Sequence, residues 1–118
     1  MKLNHLNLSV TDVPEAQKFL ETYFGLHNIG NNNQNMAFLS DDTGMVISLM
    51  NMKLGKESEV RYPATFHIGF IQDSDEQVNE IYQRLKDDGF DVPPPSRQHR
   101  SWTFYFLAPG GFTIEVLH

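Results

Sequence analysis

The fold is decided by the stretch LNHLNLSVTDVPEAQKFLETYFGL at residues 3–26, because its pattern recurs as TFHIGFIQDSDEQVNEIYQRLKDDGF at residues 65–90. Each copy opens with a short strand pattern that carries a histidine at its third residue. A polar turn follows, in which Asp12 or Ser74 precedes a Glu or Gln by three residues, as at many helix starts. Apolar residues then recur at helical spacing until a glycine ends each helix. The sequence therefore predicts a duplicated strand–helix unit.

The second part of each copy is also repeated. Residues 35–51 and residues 102–118 each predict two strands joined by a glycine-containing turn. A loose polar or proline-rich stretch precedes each hairpin and leaves room for one more, poorly marked strand. The order predicts an α+β fold of two βαβββ modules, the first at 1–52 and the second at 64–118, with a polar linker at 53–63 between them.

Composition and charge exclude several classes of function. With 118 residues, 40% hydrophobic and 20% charged, the chain is typical of one globular domain. The net charge of −6 argues against binding to nucleic acid, and the absence of cysteine excludes disulfides and thiolate metal sites. Neither a signal peptide nor a membrane span is indicated. We therefore expect a cytoplasmic protein that binds neither nucleic acid nor membrane.

Alternation along the strands brings three potential metal ligands to one side. His5, His67 and Glu115 all project opposite the apolar residues of their strands. Aligning the two hairpin turns places Ser48 at the position equivalent to Glu115. Two imidazoles and one carboxylate suit a divalent metal ion with positions left open for water or substrate. Each residue alone is more often structural, but three at matched repeat positions favour a metal site.

A substrate pocket is expected beside these residues. Ser48 and Met50 lie on the same face of the fourth strand, where a methionine gives an adaptable apolar wall. In the strand before the last turn, alternation puts either Trp102 or Tyr105 on the pocket side. Arg100, placed at the rim of the pocket by its loop position, would hold an anionic substrate, unless it is only a solvated loop charge.

Three segments carry a resemblance to a known family: the NHLNLSV opening, the FHIGF stretch in mid-chain and the closing YFLAPGGFTIEVLH. They resemble the vicinal oxygen chelate superfamily, which includes glyoxalases, bleomycin resistance proteins and dioxygenases. The resemblance implies a curved, barrel-like mixed sheet completed across a homodimer. It also implies one divalent ion per site (zinc, manganese, iron, cobalt or nickel), with His5 from one subunit and His67 and Glu115 from the other.

The function that this resemblance implies is metal-dependent catalysis on a small molecule with adjacent oxygens, of the lyase or isomerase, thiol-transferase or dioxygenase type. Glyoxalase I-like enzymes carry a second carboxylate where this chain has Ser48, and a neutral serine is a poor ligand and base. This difference counts against lactoylglutathione lyase activity. The alternative is a bleomycin-resistance-type protein that binds and sequesters a drug or antibiotic. The sequence identifies no catalytic residue.

Overall fold

The element order repeats once along the chain in the computed structural model, which describes residues 1–118. The first half contains β1 (His5–Val10), α1 (Val13–Phe24), β2 (His27–Asn28), β3 (Met36–Ser40) and β4 (Val46–Asn51). The second contains β5 (Ile68–Ile71), α2 (Asp75–Asp87), β6 (Ser96–Gln98), β7 (Ser101–Leu107) and β8 (Thr113–Leu117). A 3₁₀ turn at Met52–Gly55 begins the segment between the halves. The predicted α+β fold of two βαβββ modules is confirmed.

The strands form two four-stranded mixed sheets of the same topology. Their orders are β1-β4-β3-β2 and β5-β8-β7-β6, with the first pair of each parallel and the other pairs antiparallel. In the parallel pairs, Asn7 lies opposite Ser48 and Gly69 lies opposite Glu115. Ser48 and Glu115 therefore occupy the same register position of the two sheets.

Both helices begin and end as the sequence predicts. The Asp12 carboxylate accepts a hydrogen bond from the Glu15 backbone N–H at 3.0 Å, and the Ser74 hydroxyl accepts one from Gln77 at 3.2 Å. These side chains satisfy backbone donors that have no partner within the helix. Gly25 ends α1 in the left-handed conformation, with φ of +65°. Neither helix is long and apolar enough to cross a membrane.

The chain forms two compact units. The first comprises residues 1–63 and 109–112, and the second residues 64–108 and 113–118. Within the first unit, the Gly110 carbonyl accepts a hydrogen bond from the Thr11 N–H at 3.1 Å. A Cβ at Gly110 would lie 3.1 Å from Val10 and 3.2 Å from Ala16. Because its φ is +107°, this close approach requires glycine.

Apolar side chains of the sheets and helices form the core of each unit. Fully buried residues of the first unit include Leu8, Val10, Val13, Ala16, Leu20, Ala37, Leu39, Leu49 and Phe112. Those of the second unit are Val78, Leu85, Ile114 and Val116, with Phe104 only 1% exposed.

One predicted strand is shorter than its sequence pattern indicates. The pattern at residues 64–70 places His67 inside a strand, but β5 begins at Ile68 and the histidine immediately precedes it. The reason is that the ladder with β8 starts only where Ile68 lies opposite Ile114. A hydrogen bond at the entrance to the strand, described below, orients the histidine.

Candidate functional site

His67 and Glu115 form a close pair in the second unit. The Nε2 atom of His67 lies 3.3 Å from Oε2 of Glu115, and the two side chains are 40% and 13% exposed. The Nδ1 atom of His67 lies 3.0 Å from the Thr65 carbonyl oxygen. A carbonyl only accepts, so Nδ1 carries a proton and donates it. In the neutral ring, Nε2 then carries a lone pair and no proton, and this lone pair faces the carboxylate.

This arrangement brings two hydrogen-bond acceptors together and requires a positive species between them. A proton on Nε2 meets the requirement by forming an ion pair, and a divalent metal ion meets it by binding both atoms. A histidine that binds a metal through Nε2 usually donates its other N–H to a carbonyl or carboxylate. The Thr65 contact has this geometry, so the pair fits a divalent ion.

Two neighbours support the Glu115 carboxylate. Thr103 is fully buried, and its hydroxyl oxygen lies 3.0 Å from Oε1 of Glu115 and 2.9 Å from the Val116 carbonyl. The Tyr105 hydroxyl donates to the same carboxylate, and its ring meets the His67 ring edge-on at 5.3 Å. That hydrogen bond, with burial and charge repulsion, raises the pKa of Tyr105 to about 12. Tyr105 therefore holds its proton throughout the neutral range.

Gly69 leaves space next to the carboxylate. It lies opposite Glu115 in the ladder, and a Cβ there would meet Oε2 at 3.8 Å and Leu117 at 3.5 Å. The equivalent residue of the first sheet is Asn7, whose side chain fills the corresponding position. The second sheet is thus more open beside its acidic residue.

The first unit carries the third predicted ligand. His5 is the first residue of β1 and lies opposite Val46. Its Nδ1 atom is 3.0 Å from the Asn4 side-chain oxygen, which leaves Nε2 available for other partners. Ser48, at the register position of Glu115, donates a hydrogen bond of 2.8 Å to Oδ1 of Asn7.

A cavity of about 400 Å³ opens beside His5. Ser48 and Met50, both predicted to line a pocket, lie in its wall, together with Asn7, Phe38 and Val46. The alternation of side chains along β1 indicates that Asn7 belongs to this wall, because it shares a face with His5. Phe38 is assigned to the wall only by its pairing opposite Ser48, which the sequence pattern does not give.

The remaining predicted pocket residues lie elsewhere. The Trp102 indole N–H donates to the Asn79 side chain on α2 at 2.8 Å, so this ring lies on the helix side of its sheet. Tyr105, on the other side, is the aromatic residue beside Glu115. Arg100 is exposed in the turn between β6 and β7, with φ of +70°.

Sequence reasoning did not find one polar cluster of the second unit. Asp75 pairs with His118 at 2.7 Å and with Arg97 at 3.0 Å. The hydrogen bond from His118 is the largest cause of the lowered pKa of Asp75; burial acts in the opposite direction, and Arg97 lowers the pKa further. His118 thus has a partner on α2, a contact that no sequence pattern indicated.

No group of three or more histidine, aspartate or glutamate side chains within the chain is arranged to hold a metal ion. The structure thus provides a two-residue partial site at His67 and Glu115, and His5 beside a separate cavity.

Paired βαβββ modules, each with a histidine at the start of its first strand, define a class of duplicated small-molecule-binding proteins. The chain belongs to the Glyoxalase/Bleomycin resistance protein/Dioxygenase superfamily, whose family model matches residues 2–116. Members of this superfamily generally use a divalent metal ion, bind small molecules and typically form dimers.

Solved structures agree with this assignment. A protein of Bacillus cereus described as a possible glyoxalase is 51% identical, with a TM-score of 0.89 over 100% of this chain and 99% of the other. Lactoylglutathione lyase from Agrobacterium tumefaciens is 19% identical, with a TM-score of 0.78 over 98% of this chain and 92% of that one. The fosfomycin resistance protein FosX from Listeria monocytogenes is 23% identical, with a TM-score of 0.79 over 99% and 92%. The last two show the shared fold alone. No curated protein matches the chain.

Proposed function

We propose that this protein is a divalent-metal-dependent enzyme that acts on a small molecule with adjacent oxygen atoms, by lyase or isomerase, thiol-transferase or dioxygenase chemistry. His5, His67 and Glu115 would bind the ion, with His5 of one subunit joining His67 and Glu115 of another in a homodimer. Zinc, manganese, iron, cobalt and nickel all suit this ligand set. When bound, such an ion supplies Lewis-acid polarisation of the substrate oxygens.

The observation that carries the proposal is the 3.3 Å approach of His67 Nε2 to Glu115 Oε2, with His67 Nδ1 directed to a carbonyl. An exposed ion pair would need neither this fixed tautomer nor a second donor behind the carboxylate. Because no group of three such ligands occurs within one chain, the proposal takes the third ligand from a second subunit.

Other side chains of the second unit would keep the site in order. The Thr103 hydroxyl orients the carboxylate from its buried side, and Tyr105 holds a proton next to it. Metal ligands that are hydrogen-bonded in this way bind about 10–100-fold more tightly than ligands without support.

Metal content tests the proposal directly. Untagged protein purified without chelators is measured by inductively coupled plasma mass spectrometry, beside Glu115→Ala, His5→Ala and the control Glu80→Ala, which removes an exposed carboxylate of α2. We expect an ion in the wild type and in the control, and a fall of about tenfold or more in the other two. Protein that stays metal-free after reconstitution, or metal that survives Glu115→Ala, would overturn the proposal.

Mixing variants tests whether subunits share the site. After joint refolding of His5→Ala and Glu115→Ala in equal amounts, random pairing makes half of the dimers mixed, and each of these has one of its two sites complete. Metal content should then recover to about one quarter of the wild-type value. No recovery would place all three ligands in one chain.

The second candidate is a binding protein of the bleomycin-resistance type that sequesters a drug or antibiotic. It is favoured by one observation: Ser48 stands where a second carboxylate would be, and its hydroxyl is already bound to Asn7. Ligand affinity that is unchanged by a chelator, in a protein without metal-dependent turnover, would select this candidate.

A further inference from the structure

The cavity of the first unit differs in chemistry from the equivalent surface of the second. In the second sheet, Glu115 is flanked by Tyr105 and Gly69. At the same register positions the first sheet has Ser48, Phe38 and Asn7. The two sheets therefore share their register, but the first has the neutral Ser48 and Phe38 where the second has Glu115 and Tyr105.

No aspartate, glutamate, lysine or arginine lines the cavity. The histidine is the only ionisable residue of its wall, which contains Asn4, His5, Asn7, Phe38, Val46, Ser48 and Met50. With no metal bound, a charged ligand group in this space would lose water without gaining a counter-charge from the wall, which is unfavourable. This argues for an uncharged group inside the cavity.

The floor of the cavity provides one directed polar contact. Ser48 is 5% exposed and donates to Oδ1 of Asn7 at 2.8 Å. This bond occupies Oδ1 of Asn7. Because Asn7 is an exposed residue, its Nδ2 amino group remains available as a donor. A ligand oxygen that accepts a hydrogen bond is the matching group.

The walls are apolar. Phe38 provides an aromatic surface, and Val46 and Met50 lie on either side of Ser48 along the same face of β4. A volume of about 400 Å³ lies in the range of small-molecule sites. Met50 can also adapt its shape to different ligands.

We infer that this cavity binds the uncharged part of a small molecule, with an aromatic or alkyl body against Phe38, Val46 and Met50 and an acceptor oxygen at Asn7. The inference describes this part of the substrate of the proposed function and rests on that function for the chemistry. His5 and Asn7 are two residues apart on one face of β1, a spacing of roughly 7 Å. The ligand is therefore held by its neutral end close to the proposed metal ligand.

The test uses two probes of similar size, acetophenone, which is neutral with a carbonyl acceptor, and benzoate, which is anionic. Binding is followed by the methyl signal of Met50 in full-length protein labelled with [methyl-¹³C]methionine, made metal-free so that no bound cation attracts benzoate. The signal is assigned with Met50→Leu. We expect saturable shifts with acetophenone and at least about tenfold weaker binding of benzoate, the ratio that corresponds to about 1.4 kcal/mol.

Two variants make the result specific. Phe38→Ala should weaken acetophenone binding, and Met50→Lys, followed by ligand-observed saturation transfer, should reverse the preference towards benzoate because it introduces a counter-charge. Met52→Lys, which adds the same charge outside this cavity, should change neither. Equal or tighter binding of benzoate to the wild type, or no shift of Met50 with either probe, would overturn the inference.

Metal content of the same preparations separates this inference from the proposed function. Acetophenone binding in protein that never retains metal supports the cavity assignment and rules out the proposed metal-dependent enzyme. Retained metal with benzoate preferred overturns the cavity assignment and leaves the metal site.

Discussion

Replacing Thr103 by valine tests whether the Glu115 carboxylate is held by a hydrogen bond from its buried side. The Thr103 hydroxyl has one proton and two acceptors in reach, Oε1 of Glu115 at 3.0 Å and the Val116 carbonyl at 2.9 Å. A charged acceptor forms the stronger bond, so we expect the proton to lie towards Glu115. Valine keeps the shape of the side chain and removes that donor.

The expected loss of stability follows from these contacts. A hydrogen bond to a charged group contributes about 1.5–3 kcal/mol, and the added buried methyl group returns roughly 0.8 kcal/mol. The free energy of unfolding should therefore fall by about 1–2 kcal/mol. Thr103→Ser keeps the hydroxyl and loses one methyl, at a cost of roughly 0.8 kcal/mol.

A double-mutant cycle separates the hydrogen bond from packing. Urea unfolding of metal-free protein, followed by circular dichroism, is measured for Thr103→Val, Glu115→Ala and the double variant, because alanine removes the acceptor of this hydrogen bond. We expect a coupling free energy of about 1 kcal/mol or more between the two positions. In metal titrations, Thr103→Val should bind about 10–100-fold more weakly, with Thr103→Ser close to wild type.

Coupling near zero would refute the reasoning, because it would mean that the Thr103 proton goes to the Val116 carbonyl instead. This outcome is independent of whether a metal binds. Strong coupling with unchanged metal affinity would support the hydrogen bond but show that it does not strengthen metal binding at the proposed site.

Three further predictions concern separate parts of the chain. In Glu115→Gln the pKa of Tyr105 should fall from about 12 towards the ordinary 10.0, as seen by ultraviolet absorbance titration. The hydrogen bond to the carboxylate, which is the largest cause of the raised pKa, is weakened, and a neutral amide no longer repels the phenolate. The folded wild type keeps the Tyr105 proton up to about pH 12, whereas the unfolded chain releases it near pH 10. Wild-type stability should therefore decrease between about pH 10 and about pH 12. A tyrosine titration that is the same in the variant and in the wild type would exclude the contact between Tyr105 and Glu115. Gly110→Ala should lower the free energy of unfolding in urea by more than about 2 kcal/mol. The control Gly44→Ala, which also has positive φ but no neighbour within 4 Å, should lower it by about 1 kcal/mol. Equal losses in the two variants would contradict the steric argument. Asp12→Ala should cost about 1 kcal/mol and Asp12→Asn only a few tenths, because asparagine keeps the acceptor at the start of α1; similar losses in thermal unfolding would rule out capping as the cause.

The duplicated pattern predicted the fold because each local signal has a nearby physical cause. Helix starts at Asp12 and Ser74 and the left-handed glycine at residue 25 depend on neighbours within a few positions. Alignment of the two hairpin turns likewise placed Ser48 and Glu115 at matching positions of their sheets.

Contacts between distant segments were beyond the sequence pattern. Alternation left Trp102 and Tyr105 equivalent, and only the hydrogen bond from Trp102 to Asn79 on α2 distinguishes them. The donor behind Glu115 depends on the register of β7 against β8, which alternation does not determine. The start of β5 at Ile68 depends on where its parallel partner begins to pair.

The packing of residues 109–112 within the first unit affects the order in which the chain folds during synthesis. Phe112 is fully buried there, and the loss of such a ring costs about 3–5 kcal/mol. A domain the size of residues 1–63 has only about 3–9 kcal/mol of stability in total, at 0.05–0.15 kcal/mol per residue. The N-terminal segment emerges from the ribosome first, yet it reaches its final packing only after Phe112 has been translated. Until residue 112 has been translated, the nascent chain therefore carries an incomplete first unit.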